Sequence, residues 1–347
     1  MAMFEVTDMG KIPGDLLQKY VFKRVGACRS DVLVGPRMGV DVSLLSANDA
    51  VIVAHCDPIV GALRKIGWLA VHIACNDVAT AGVEPRWILP TILLPEKWSE
   101  NMLDTITRDI DSAAKELNVA VVGGHTGYAV GVQRPIVVVT AIGIGGKDEV
   151  LTSMNAKVGD IIYITKGAAL EGTAILASDF RDVLLSKGVS LSVIEKAEKF
   201  MNEVSIVREA TALAKARAVT AMHDPTRGGI AEGLIELATA SNTIIEVWEN
   251  KIPVREETKI FAEKLGFDPL WMISSGTLIF TTPKNMKEKA EKILDKLGIQ
   301  YAQIGIVKAR GEPKVTIHRE TGIEIIEKPQ PERDELATIW EKYARTT

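Results

Sequence analysis

The chain has 347 residues, of which 47% are apolar and 25% charged, so disorder as the main state is excluded and about two domains are expected. Lys and Arg number 41 against 45 Asp and Glu, a net charge of −4 without a long basic block, which argues against general nucleic-acid binding. The longest apolar stretch, residues 135–144, is about half of a membrane span. Residues 1–13 do not resemble a signal peptide, and we predict a cytoplasmic protein without membrane contact.

Three cysteines, Cys28, Cys56 and Cys75, form no CxxC pair. An odd number without paired spacing argues against a disulfide framework and against a zinc site. Each is expected to be a compact, buried or partly buried thiol.

The first half alternates strand-like and helix-like patterns. Residues 51–55, 119–122 and 135–143 are β-branched runs bounded by turn residues and predict buried strands. Residues 99–118 predict an amphipathic helix capped by Ser99. Residues 61–82 are so apolar that a helix there must be mostly buried.

A Gly-rich, charged segment after residue 143 predicts a domain boundary, and the pattern then restarts. The second half is expected to contain strands at 160–165, 218–222 and 276–281 and helices at 205–215, 230–240 and 283–297. This alternation favours an α/β or α+β protein of two similar domains over a helical bundle or a β-sandwich.

Three aspartates in the first half stand out. Asp41 lies where a Gly-containing loop meets an apolar run, Asp57 follows the strand pattern VIVAHC, and Asp77 lies within the apolar helix pattern. A carboxylate in such a helix costs several kcal/mol unless it is paired or binds a metal. The three are candidates for a Mg²⁺ site, because this ion prefers oxygen ligands. The alternative is that Asp41 and Asp57 are turn residues and Asp77 a buried hydrogen-bonding group.

Two glycine motifs follow predicted strands. In VAVVGGHTG, adjacent glycines would let a ligand approach the backbone, next to His125 and Thr126; a plain turn is the alternative. In HDPTRGGI, the Gly-Gly pair opens a predicted helix and is an anion-site candidate, with Arg227 as a phosphate contact. The alternative there is a capped helix start with Asp224 as a turn former.

Seven motifs occur in a characteristic order: GVDVS, AHCDP, ACNDVATAG, VVGGHT, GDIIYITKG, DPTRGG and SSGTL. Together they resemble the aminoimidazole ribonucleotide synthetase-related (PurM-like) superfamily over roughly residues 34–310. The segments NDVATAGVEPRWI, DPTRGGI and LGFDPLWMISSGTLIF most resemble its hydrogenase-maturation HypE branch.

The resemblance implies a two-domain α+β fold with a C-terminal α/β domain. Expected divisions are an N-terminal extension (1–33), an ATP- and Mg²⁺-binding and dimerisation domain (34–148), a second domain (149–320) and a C-terminal segment (321–347). The resemblance also implies a homodimer in which strands of the two N-terminal domains form a shared barrel.

The resemblance implies roles only for residues of this sequence at positions that match the family's motifs. Asp41, Asp57 and Asp77 match positions that hold Mg²⁺ and the ATP phosphates. Predicted nucleotide contacts also include Asn76, Gly123, Gly124, Thr126, Thr226, Gly228 and Gly229. The predicted catalytic residues are Asp224, Arg227 and His125, the last at a position where relatives carry Asp, Glu or His.

The implied activity is ATP-dependent phosphoryl transfer to an amide or carbonyl oxygen, with a small-molecule acceptor or a maturation partner protein. Two departures from the HypE pattern stand out: no Cys follows Cys75, which argues against the HypE reaction on its own tail, and Ser275 stands where many HypE-like chains carry Glu. Residues 332–344 instead predict a docked amphipathic helix. The N-terminal segment keeps only Cys28 of a selenide-type motif, which argues against selenide chemistry. The alternatives are a non-catalytic nucleotide-binding maturation or regulatory protein, and a purine- or thiamine-type synthetase or kinase.

Overall fold

The computed structural model describes residues 14–343, which form two α+β units, each built on a seven-stranded sheet. The elements of the first unit are α1 (Gly14–Leu16, continued by a π-helical turn, Leu17–Val21), β1 (Val32–Val34), β2 (Ser43–Ala47), β3 (Ala50–Ile59), α2 (Ile66–Thr80), β4 (Pro85–Leu94), α3 (Glu100–Glu116), β5 (Ala120–Val121), β6 (His125–Tyr128) and β7 (Ile136–Gly146).

The elements of the second unit are β8 (Ile161–Thr165), α4 (Leu170–Asp179), α5 (Arg181–Ser186), α6 (Leu191–Glu198), α7 (Val207–Lys215), β9 (Ala221–His223), α8 (Gly229–Ser241), β10 (Thr243–Trp248), α9 (Glu256–Leu265), β11 (Ile279–Thr282), α10 (Lys287–Leu297), β12 (Tyr301–Arg310), β13 (Lys314–Arg319), β14 (Gly322–Ile326) and α11 (Glu335–Tyr343). The predicted extension 1–33 and C-terminal segment 321–347 reach beyond the described residues.

The first sheet has the order β1-β2-β3-β7-β4-β5, with β6 also paired to β4. Its centre is the long antiparallel pair β3 and β7, which runs from the pair Ala50–Gly146 to the pair Ile59–Val137. Asp57 lies inside this ladder, so the prediction that it follows the strand is wrong: pairing with β7 holds the chain extended through Asp57 and beyond.

The two faces of this sheet differ. Side chains alternate along a strand, so Val51 and Val53 of β3 share one face, which is buried and packs against α2. Ile52 and Ala54 point to the other face and stay partly exposed. Similar half-exposed apolar residues follow one another across the neighbouring strands on that face, among them Trp87, Leu89 and Ile142.

Helix α2 confirms the prediction of a buried apolar helix. All of its residues except Trp68 are buried, because it packs against β3 and β7 on one side and against α3 and α7 on others. The amphipathic helix α3 is also confirmed, and the Ser99 hydroxyl accepts a hydrogen bond from the Met102 N–H at 3.2 Å, as expected for a helix cap.

The second sheet has the order β14-β13-β10-β12-β8-β11-β9. Strand β8 is buried along its whole length. Predicted strands at 160–165 and 276–281 are present with shifted ends, as is the strand predicted at 218–222, which forms β9 three residues later. No helix of residues 14–343 is both long and apolar enough to cross a membrane.

The predicted C-terminal helix is confirmed as α11, and Leu336, Ile339 and Trp340 are buried on one of its faces. The Trp340 indole donates a hydrogen bond to the Gly61 carbonyl at 3.0 Å, and its ring lies edge-on against Phe180 at 4.6 Å between centroids. Helix α11 therefore joins the first unit to the second.

Candidate functional site

Three carboxylates from distant parts of the chain meet between the two units. Asp41 lies just before β2, Asp77 is on α2, and Asp224 directly follows β9 of the second unit. Each offers an oxygen, and these oxygens all lie within 4.8 Å of one another. The second unit therefore completes a cluster that the first unit begins.

The cluster is buried, and its charges repel one another. Burial, reinforced by Asp41 and Asp57, raises the pKa of Asp77 well above its usual value. Burial and the charges of Asp77 and Asp41 raise the pKa of Asp224 in the same way. Both carboxylate oxygens of Asp224 lack a hydrogen-bond partner within residues 14–343. A buried all-oxygen cluster of this kind suits a hard divalent cation.

Two histidines that the sequence analysis did not select hold the cluster in place. His223 Nδ1 lies 2.7 Å from Asp41 Oδ1, and its Nε2 lies 3.1 Å from Glu236 Oε2 on α8. Burial disfavours a charged ring, but Asp41 and Glu236 outweigh it and raise the pKa of His223 well above its usual value. His55 Nε2 lies 3.1 Å from Asp77 Oδ2.

A sequence signal for these histidines existed. His223 directly precedes Asp224 in the motif HDPTRGGI, and His55 shares a strand face with Asp57, two residues later. Each could have been chosen as a neighbour of a candidate aspartate.

A cavity of about 210 Å³ opens over the acidic cluster. Among the residues that line it are Asp41, Asp57, Asp77, Asp224 and Thr226. The N-terminal segment contributes to its wall through Leu17 and Phe22. Five predicted site residues are thus brought together by the fold.

A second cavity of about 230 Å³ lies beside the first, and Asp57 and Thr226 line both. Arg227, predicted as a catalytic residue, lines this second cavity. Its other walls are largely apolar, with Ile73 and Ile273 among them. The two cavities therefore form adjoining compartments separated by Asp57 and Thr226.

The predicted anion site at Gly228 and Gly229 is filled from within the chain. The Gly228 N–H donates to Asp334 Oδ2 at 2.8 Å, and the Gly229 N–H donates to the Thr226 carbonyl at 3.0 Å. Gly229 has φ of +63°, and a Cβ there would lie 2.4 Å from the Met272 carbonyl oxygen. Close backbone packing therefore explains this glycine, and its contact with a nucleotide stays a prediction.

Asn76 is fully buried and connects the two units. Its side-chain NH₂ donates to the Val204 carbonyl at 2.8 Å, and its Oδ1 accepts from the Ile206 N–H at 2.9 Å. The side chain is thus already hydrogen-bonded, and a nucleotide-binding role for it stays a prediction.

The motif with Gly123, Gly124, His125 and Thr126 lies at the far side of the first sheet. It leads into β6, which is separated from β3 by β4 and β7, and its residues are exposed. None of the four lines either cavity. Gly124 has φ of +137°, and a Cβ there would lie 2.1 Å from the Pro90 carbonyl oxygen. Nucleotide contact by this motif stays a prediction.

Comparison with known proteins places this geometry in context. The N-terminal domain of AIR synthase related protein matches residues 39–145, and the C-terminal domain of the same family matches residues 157–318. Carbamoyl dehydratase HypE of Azotobacter vinelandii is 32% identical over 70% of each chain. A putative hydrogenase expression/formation protein of Methanocaldococcus jannaschii is 29% identical, over 82% of this chain and 84% of its own.

Solved structures share the fold. HypE in a HypE-HypF complex superposes with a TM-score of 0.71 at 25% identity, over 91% of this chain and all of the other. HypE in complex with ATP gives 0.68 at 24% identity, covering 92% and 95%. A ThiL chain complexed with AMPPCP and TMP gives 0.68 at 20% identity, covering 87% and 91%. The two-domain α+β fold predicted from the motifs is thereby confirmed.

Proposed function

Because this chain belongs to the AIR synthase related protein family, we propose that it binds ATP with a divalent cation and transfers the γ-phosphoryl group to an amide or carbonyl oxygen. One observation carries the proposal: Asp41, Asp77 and Asp224 meet within 4.8 Å in a buried cavity, and both oxygens of Asp224 lack a hydrogen-bond partner within the described chain. Such a group is costly to fold unless a ligand compensates it.

The donor set fits Mg²⁺, since all three side chains offer carboxylate oxygen. Asp41, Asp77 and Asp224 would hold the ion, with Asp57 nearby on the cavity wall. The ion would neutralise charge on the phosphate oxygens. His223 fixes the orientation of Asp41, because its ring is held between Asp41 and Glu236.

The two adjoining cavities would hold the two reactants separately. Phosphates bound over the acidic cluster would face Asp57 and Thr226, and an acceptor in the second cavity would meet them there. Arg227 on the wall of the second cavity would stabilise negative charge that develops during transfer. Positioning and charge neutralisation account for most catalysis of this kind.

Relatives with nucleotides support ATP as the substrate, because HypE has been solved with ATP and a ThiL protein with AMPPCP. His125, Gly123, Gly124 and Thr126 remain predicted nucleotide contacts. They would have to approach the nucleotide from the exposed edge of the first sheet.

Calorimetric titration with ATP, with and without Mg²⁺, tests the proposal. We expect Mg²⁺-dependent binding that Asp77→Asn weakens at least tenfold, because the substitution removes a buried ligand charge. Phosphate release from ATP by the isolated protein then separates an enzyme from a non-catalytic nucleotide-binding partner. Absence of ATP binding in the presence of Mg²⁺ would refute the proposal.

We also propose a homodimer formed through the half-exposed face of the first sheet. Ile52, Ala54, Thr140 and Ile142 lie on this face, which would cover apolar surface if it met a second copy. Cys56 lies on the same face and is exposed. Protection of Cys56 from alkylation that rises with protein concentration would support the dimer, and a monomer by light scattering would refute it. The HypE-HypF structure supports a further maturation partner protein.

A further inference from the structure

A ring nitrogen lies at the edge of the acidic cluster. His55 lines the first cavity, and its Nε2 lies 3.1 Å from Asp77 Oδ2. The ring is held by the fold, because His55 lies inside the ladder of β3 and β7 and shares the face of β3 that packs against α2, the helix of Asp77. An ion bound by Asp77 would therefore meet this nitrogen at close range.

The other ring nitrogen determines which atom of His55 is available to an ion. Nδ1 contacts the backbone carbonyl oxygen of Asp41, and a carbonyl oxygen can only accept a hydrogen bond. Nδ1 therefore carries the hydrogen, and Nε2 of the neutral ring has a lone pair. Nε2 is buried and forms no well-aligned hydrogen bond within residues 14–343. Histidines that bind a metal usually donate the N–H of the second nitrogen to a carbonyl or carboxylate oxygen, as His55 does.

The second histidine of the cluster has a different arrangement. His223 Nδ1 lies 2.7 Å from Asp41 Oδ1, and its Nε2 lies 3.1 Å from Glu236 Oε2. Both nitrogens thus face carboxylates, which accept hydrogen bonds, so the ring offers no free lone pair to an ion. Of these two histidines, His223 orients a carboxylate, whereas His55 can supply a nitrogen ligand.

The distance between His55 Nε2 and Asp77 Oδ2 suits two neighbouring ligands of one ion. Two ligands about 2.1 Å from an ion and at right angles to each other are about 3.0 Å apart. A lone pair on Nε2 and an ionised Asp77 repel unless a proton or a cation lies between them. Oxygens of Asp41 and Asp224 lie within 4.8 Å of an Asp77 oxygen, so an ion at Asp77 would have carboxylates on one side and the imidazole on another.

A nitrogen ligand changes which ion is preferred. Mg²⁺ prefers oxygen ligands, whereas imidazole suits first-row transition ions, for which affinity rises from Mn²⁺ through Co²⁺. We propose that His55 Nε2 is a ligand of the cation in this site, and that the site binds a first-row transition ion such as Co²⁺ more tightly than Mg²⁺. This inference rests on the proposed function, because it concerns the cation of the same site.

Calorimetric titration of the full chain with CoCl₂ and with MgCl₂, without nucleotide, tests the preference. We expect Co²⁺ to bind at least tenfold more tightly than Mg²⁺. His55→Gln can still donate to the Asp41 carbonyl but lacks the imidazole nitrogen, so it should weaken Co²⁺ binding at least tenfold and Mg²⁺ binding less than threefold. His318→Gln is the matched control: His318 Nε2 also faces a carboxylate, at 2.9 Å from Glu246 Oε1, but His318 lines neither cavity. This variant should leave the binding of both ions unchanged.

Proton NMR of the Co²⁺-bound protein distinguishes a ligand from a positioning residue. Co²⁺ is paramagnetic and shifts the ring N–H of a bound histidine far outside the usual range. We expect one such signal, from His55 Nδ1–H, that disappears in D₂O and in His55→Gln and persists in His318→Gln. A histidine that only orients Asp77 would not give this signal.

Three results would overturn the inference: Co²⁺ binding no tighter than Mg²⁺ binding, no shifted N–H signal, or equal loss of both ions in His55→Gln. If His55→Gln fails to fold, the comparison of ions and the shifted signal in the unsubstituted protein still decide. Titration with ATP and Mg²⁺ is read separately. Failure of ATP binding refutes the proposed function, whereas Mg²⁺-dependent ATP binding without a preference for Co²⁺ refutes only the role of His55.

Discussion

Replacing Asp224 with Asn tests whether the acidic cluster is built for a cation or for the stability of the fold. Two unit charges 4.8 Å apart repel by about 3.5 kcal/mol at an effective dielectric constant of about 20. Burial and mutual repulsion raise the pKa values of Asp77 and Asp224, so uptake of a proton relieves part of this repulsion. We therefore expect Asp224→Asn to raise the free energy of unfolding of the metal-free protein by about 1 kcal/mol.

The response to Mg²⁺ should change in the opposite direction. A ligand at about 100 times its Kd stabilises a folded protein by about 2.7 kcal/mol. We expect Mg²⁺ to stabilise the unsubstituted protein on this scale and to stabilise Asp224→Asn less than half as much, because a charged ligand is lost. The measurement is urea unfolding in EDTA and across a Mg²⁺ titration.

Asp109→Asn is the matched control. Asp109 is also buried, but it lies outside the acidic cluster, and its Oδ1 is 2.9 Å from Lys65 Nζ. This variant should lose up to about 1 kcal/mol in EDTA and keep the full response to Mg²⁺. If Asp224→Asn instead destabilises the metal-free protein and responds to Mg²⁺ like the unsubstituted chain, the cluster is a structural group and the assignment of the cation site is wrong.

Three further outcomes can be measured. Burial and the nearby Lys166 lower the pKa of His72 to about 4, so the unfolded chain takes up a proton before the folded chain does as the pH falls below 6.5. Up to roughly 3 kcal/mol of the free energy of unfolding should therefore be lost by pH 4. Urea unfolding at several pH values should show this loss, and His72→Gln should make the stability depend less on pH. Burial, with a contribution from Asp77, raises the pKa of the Cys75 thiol, so iodoacetamide should modify Cys75 only after the protein unfolds. Mass spectrometry measures this reaction, and rapid labelling of Cys75 in the folded protein would contradict its burial. Asp334 accepts hydrogen bonds from the Gly228 N–H at 2.8 Å and, as the cap of α11, from the Ala337 N–H at 3.0 Å. Asp334→Ala should therefore lower the free energy of unfolding by about 1–3 kcal/mol. An unchanged midpoint of urea unfolding would contradict this role of Asp334.

Local sequence patterns were enough to predict those helices and strands in which buried residues recur at a regular spacing. The β-branched run around Val53 predicted a buried strand, and the spacing of apolar residues after Ser99 predicted α3 with its cap. The placement of Leu336 and Trp340 on one helical face predicted that the C-terminal segment docks as α11. In each case neighbouring residues determine which face is buried, so a short window of sequence contains the information.

Strand ends were less predictable for a physical reason. Asp57 belongs to β3 only because β7 continues to pair with it, and β7 lies far along the chain. Sheet pairing supplies hydrogen bonds that local propensity does not describe, and it carried the strand through a polar residue and a proline.

The aspartates show the same difference between local and tertiary information. By itself the sequence determined that Asp77 needs a compensating partner, because a carboxylate in an apolar helix is costly wherever that helix packs. Only the tertiary structure decided that Asp224 and His223 supply the surroundings, that Asn76 joins the two units, and that the motif around His125 lies at another edge of the sheet. Hydrophobic periodicity is a property of neighbours in the chain, whereas the meeting of charges depends on how the two units pack against each other, and no local pattern contains that information.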